Sequence, residues 1–88
     1  MDELEGIKKF VEDYEKKVKE EIENPLYDKR NKMSVERFSE VNKPLRRGLR
    51  HLYRAWSASV DGFPEEAREM KALGISEIEE AKKLLEES

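Results

Sequence analysis

A group of basic residues in the middle of the chain has the types and spacing that could bind phosphate or carboxylate groups. Residues 43–60 contain five basic side chains and no acidic one: Lys43, Arg46, Arg47, Arg50 and Arg54. On a helix these five cover an arc of about 100°, so they would share one face. Arginine presents a planar set of donors that suits phosphate and carboxylate oxygens. The pattern predicts a contact surface for the backbone of RNA or DNA, or for an acidic partner.

The rest of the chain offers these arginines an alternative set of partners. Residues 1–24 and residues 61–88 each contain nine acidic side chains, against five and four basic ones. The net charge is −3 and the isoelectric point is about 5.3, which is lower than is typical of nucleic-acid-binding domains. The basic face could therefore pair with acidic helices, either within one molecule or across a dimer.

Arg46 and His51 form an R-x4-H spacing. This spacing resembles the catalytic signature of HEPN-type ribonucleases, and the resemblance implies an all-helical, dimeric, RNA-cleaving protein. It covers these two residues alone, which an ideal helix would separate by about 140°. A ribonuclease of this type is the third functional hypothesis.

Small residues follow a second line on the same predicted helix and could form a close helix–helix contact. The candidates are Gly48, Ala55 and Ser59, with Trp56 as an aromatic anchor beside them. Such a line permits close packing against a helix in the first part of the chain (about residues 2–23), or it permits self-association. Large aromatic side chains often supply much of the binding energy of an interface, which makes Trp56 the natural centre of a homodimer contact.

Signals for catalysis, cofactors and metals are weak in this chain. It contains no cysteine and one histidine, so thiolate chemistry and thiolate zinc sites are excluded. There is no glycine-rich phosphate loop and no Glu-x-x-His pair of the kind found in di-metal bundles. We predict no catalytic, cofactor-binding or metal-binding residues, and we expect a protein that is not an enzyme.

The apolar residues recur at intervals of three and four, which predicts an all-α fold. We expect a single domain over residues 1–88, built as a small antiparallel bundle of three to four helices at about 2–23, 34–60, 64–73 and 76–87. Asn24-Pro25 should end the first helix, and Gly74 should separate the last two. The apolar phase continues across Pro44, which favours one long helix kinked near Pro44 over two helices broken at Asn42-Lys43.

Composition bears on location and stability. The apolar runs are far shorter than the roughly 20 residues that span a bilayer, and the first residues are acidic, so we expect a cytoplasmic protein without membrane contact. Charged residues make up 44% of the chain, a composition like that of thermophile proteins. These observations favour a non-catalytic helical module for protein–protein interaction or self-association, with nucleic-acid binding as the alternative.

Overall fold

The computed structural model describes residues 2–88, and Met1 lies outside the described part. Every regular element in residues 2–88 is helical, in agreement with the all-α prediction. The elements are α1 (Glu3–Val18), a π-helical segment (Lys19–Glu23), α2 (Asn24–Asp28), a short 3-10 turn (Arg30–Lys32), α3 (Val35–Asp61) and α4 (Pro64–Glu86).

The first helix does not end at Asn24-Pro25, which corrects the sequence prediction. The chain remains helical through the π-helical segment into α2 and reaches Asp28. In the widened turn the Asn24 amide donates to the Lys19 carbonyl, five residues back. Because the turn is wider, the ring of Pro25 fits near the start of α2, where its missing amide donor disturbs the hydrogen bonding least.

The central helix α3 is continuous across Pro44, so the prediction of one long helix is confirmed. The Ser34 hydroxyl caps its first turn by accepting a hydrogen bond from the Arg37 amide at 3.0 Å. The helix ends at Gly62, whose φ of 85° is the left-handed conformation that glycine adopts without strain. The bend predicted at Pro44 stays a prediction.

The last two predicted helices form a single helix, α4, which corrects the predicted break at Gly74. Gly74 is buried inside α4 and faces Gly48 of α3, where a Cβ atom on Gly74 would lie 3.1 Å from the Gly48 carbonyl oxygen. The glycine is therefore needed for close helix packing rather than for ending a helix. Ser76, where the last helix was predicted to begin, is an exposed residue within α4.

Three long helices pack together around an aliphatic core. The contacts between α3 and α4 run from Arg37–Glu87 at one end to Arg54–Glu66 at the other, which shows that these two helices are antiparallel. The first helical stretch is also antiparallel to α3, because Glu12 lies near Trp56 whereas Glu23, later in the chain, lies near Arg46, earlier in α3. The described chain is a rod of 44 × 18 × 16 Å, with its largest fully buried side chains at Leu26, Leu45, Leu52, Ile78, Val11 and Val41.

Candidate interaction surface on α3

The basic face of α3 is partly neutralised by glutamates of the neighbouring helix α4. Arg47 Nε lies 3.3 Å from Glu77 Oε2, and Arg54 donates to Glu66 at the same distance. Both pairs involve exposed arginines, so each contributes on the order of 0–1 kcal/mol to stability. The acidic helix therefore covers one edge of the basic face, as the distribution of charge along the sequence allowed.

Arg46 and His51 point to different neighbours. Arg46 donates to the Tyr27 hydroxyl on α2 and lies near Glu23 of the π-helical segment. His51 Nδ1 contacts a carboxylate oxygen of Glu77 on the opposite side of α3. The two residues of the R-x4-H spacing therefore do not form a common site within one molecule.

Two basic residues of the face remain open to solvent. Lys43 and Arg50 are exposed, and neither makes an ion pair with another residue between 2 and 88. Of the five candidate contact residues, three are thus held by neighbouring side chains and two can meet a partner directly. Surface ion pairs exchange readily, so the held arginines can also reorient when a stronger acidic partner is present.

The line of small residues lies inside the molecule. Gly48, Ala55 and Ser59 are buried, and Gly48 packs against Ile78 and Gly74 of α4. Gly48 therefore makes a close helix contact as predicted, but the contact is with α4. The sequence suggested that the neighbour would be the first helix or a second molecule. These three residues do not form an exposed surface.

Trp56 lies at the boundary between core and solvent. Its indole Nε1 donates to Glu12 on α1 at 3.0 Å, and its ring stacks on that of Tyr53 with the centroids 6.2 Å apart. Tyr53 and Val60 belong to the apolar arc of α3, yet they are 62% and 54% exposed. The apolar arc of α3 is wider than the part that α1 and α4 cover, so one edge of it faces solvent.

We refer to Leu49, Tyr53, Trp56 and Val60 as the exposed stripe of α3, in which Tyr53 and Val60 are exposed while Leu49 and Trp56 are half-buried against the core. A shallow groove of roughly 450 Å³ lies next to this stripe. It is lined by Leu49 of α3 and by charged side chains of α1 and of the π-helical segment. Partial burial raises the pKa of the Glu15 carboxyl in this groove, and the negative charge of Glu12 adds to the shift. The groove thus contains the carboxylates of Glu12, Glu15 and Glu23 together with the ammonium groups of Lys16 and Lys19.

Among residues 2–88, no three histidine or carboxylate side chains lie close enough to hold a metal ion. No helix in this part of the chain is long and apolar enough to cross a membrane. Comparison of the chain with protein-family models, curated proteins and solved structures finds no match.

Proposed function

We propose that this chain is a helical protein–protein interaction or self-association module without catalytic activity. The observation that carries the proposal is the exposure of Tyr53 and Val60 next to the half-buried Trp56. Single exposed apolar residues are common on proteins, but a row of them beside arginines has the composition of binding surfaces. Tyrosine, tryptophan and arginine are also the residue types that contribute most often to binding hot spots.

The packing of α3 suits it to this role. On a side of α3 away from the exposed stripe, Gly48 packs closely against α4, so the stripe is presented on a rigid support. A rigid support lowers the entropy lost when a partner binds.

We further propose that α3 bends near Pro44 and that the protein is located in the cytoplasm.

Site-specific photo-crosslinking tests this proposal. A photoreactive amino acid replaces Tyr53 in one variant and Val35 in a control variant, since Val35 is an apolar position in the first turn of α3 that is even more exposed than Tyr53 (81% against 62%). In cells that produce the protein, we expect protein adducts from position 53 and few from position 35. A variant that forms no protein adduct from position 53, or equal amounts from both positions, would contradict the proposed surface.

A second candidate function is nucleic-acid binding, and it rests on the exposed Lys43 and Arg50. It predicts binding that falls steeply as the salt concentration rises, because cations on the protein release counterions from phosphates. The Arg50→Glu variant should then lose most of its affinity for RNA or DNA. Fluorescence anisotropy at about 50 mM salt measures this, and absence of binding by the parent protein would remove this candidate.

A further inference from the structure

The exposed stripe of α3 has the same spacing of apolar side chains in both directions along the helix. Leu49, Tyr53, Trp56 and Val60 are separated by four, three and four residues, so the pattern is unchanged when the helix is reversed. In a contact of this surface with a copy of itself through a two-fold axis, residue i meets residue j and residue j meets residue i, so evenly spaced side chains of one copy can fit between those of the other.

Arg50 and Asp61 add charges of opposite sign to this symmetric pattern. They are eleven residues apart, which is three turns of helix with an offset of about 20°, so they lie on one line along α3. The rise between them is about 16 Å, too far for an ion pair within the molecule. Both are exposed, and neither has an ion-pair partner in the described part of the chain.

We propose that the occupant of this surface is a second copy of the chain, bound with its α3 antiparallel to the first. This inference rests on the proposed function and specifies its partner. With the two-fold axis level with Ala55 and Trp56, each Arg50 lies opposite Asp61 of the other copy, so the ion pair forms twice. In the same register Val60 of one copy lies between Leu49 and Tyr53 of the other.

The charges around the stripe favour this occupant over a nucleic acid. Asp61 lies on the same line as Arg50, and Glu12 lies against Trp56. Carboxylates at these positions would repel a phosphate backbone, whereas a second copy presents arginine to the aspartate. The acidic, apolar and basic groups of this surface therefore complement the same surface of a second copy.

The dimensions of the stripe predict a weak dimer. It extends about 16 Å along one helix, whereas a standard interface covers about 800 Å² on each partner. Contacts below that size give transient complexes, so we expect a dissociation constant in the micromolar range.

Sedimentation equilibrium from about 1 to 500 µM, a range that brackets this affinity, tests the arrangement with three variants and a control. The variants are Arg50→Asp, Asp61→Arg and the double exchange of both. Lys43→Asp is the control, because it makes the same change of charge at an exposed position of the same basic face. Circular dichroism checks that every variant retains its helical structure.

We expect each single exchange to raise the dissociation constant about tenfold or more, since like charges then face each other twice. The double exchange should restore dimerisation, and Lys43→Asp should have little effect. Rescue within one molecule is impossible because the two positions are three turns apart. A parent protein that stays monomeric across this range, or a double exchange that does not rescue, overturns the inference.

The outcome of photo-crosslinking at position 53 separates this inference from the proposed function. Adducts with a different protein, together with a monomeric parent, overturn the homodimer and leave the interaction module standing. Adducts with nucleic acid, or no adduct at all, overturn both.

Discussion

Three glycines of this chain should respond differently to the same substitution, and the difference measures the close contact between α3 and α4. Gly74 and Gly48 face each other across that contact, whereas Gly6 lies in α1 with no atom within 4 Å of the position that a Cβ would occupy. Substitution of each by alanine adds one methyl group to a helix, so the gain in helix propensity is similar in all three variants.

The cost at Gly74 follows from the distances around it. A Cβ atom there would lie 2.8 Å from Leu52 Cγ and 3.1 Å from the Gly48 carbonyl oxygen. Overpacking of this kind costs about 1–3 kcal/mol, while exchange of glycine for alanine in a helix contributes about 1 kcal/mol in the opposite direction. We expect Gly74→Ala to lower the free energy of unfolding by about 1 kcal/mol, because the backbone oxygen cannot move aside.

Gly48→Ala should have an effect of the same sign. Its Cβ would lie 2.7 Å from Ile78 Cδ1, which can move, and 3.1 Å from the Gly74 carbonyl oxygen, which cannot. Gly6→Ala should instead raise the free energy of unfolding by about 0.5–1 kcal/mol. The gap of about 2 kcal/mol between Gly6→Ala and Gly74→Ala corresponds to roughly 8–16 °C in melting temperature for a domain of this size.

Urea unfolding followed by circular dichroism at a single protein concentration provides the assay, since self-association would make stability depend on concentration. An unchanged slope against urea shows that the compactness of the folded and unfolded states is preserved. If Gly74→Ala were as stabilising as Gly6→Ala, the helices would not approach each other closely at Gly74, and the packing argument would be refuted.

Three further predictions concern the turn at Gly62, the contacts of Glu77 with α3, and Glu15 in the groove between α1 and α3. Gly62→Ala should destabilise the protein by about 1–2 kcal/mol in thermal unfolding, because φ is 85° at this residue. Glu77→Ala should lower stability by roughly 1 kcal/mol in urea unfolding, because its two partners on α3 lose a shared acceptor. Glu15→Gln should raise the melting temperature at pH 7, with Glu20→Gln, which lies outside the groove, as the control. The folded-state pKa of Glu15 is raised, so its ionisation opposes folding at neutral pH, and the gain should vanish as the pH falls through that pKa and below the ordinary value of 4.5.

Local signals in the sequence predicted the ends of α3 and the start of α4. Ser34 caps its helix, Gly62 adopts the left-handed conformation that ends α3, and Pro64 begins α4. These signals depend on a few neighbouring residues, so they can be recognised without knowledge of the packing.

Pro25 and Gly74 gave misleading signals because the tertiary structure determines what they do. A π-helical turn admits Pro25, and nothing in its local sequence distinguishes that turn from a loop. Gly74 has the composition of a helix end, but it lies inside a helix because Gly48 approaches it from α3. The need for that approach is visible only when both helices are placed together.

The candidate surface was predictable in part. The spacing of the arginines indicated their common face, but the sequence did not show which helix would supply the pairing glutamates. Arg46 lies near Glu23 of the π-helical segment, whereas Arg47 pairs with Glu77 of α4, although the two arginines are adjacent in sequence. The continuous apolar arc of α3 does not show from the sequence that Tyr53 is exposed, because the position of the neighbouring helices decides how much of that arc is covered.

The glycine contact and the exposed stripe lie on well-separated sides of α3. Gly48 and Tyr53 are five residues apart, which places them about 140° from each other around the helix. Gly74→Ala should therefore lower the stability of the monomer without changing the residues that meet a second copy. Arg50→Asp should weaken association without changing the unfolding of the monomer. A variant that altered both properties together would show that the two sides are coupled through α3, and the stripe would then be part of the support rather than a separate surface.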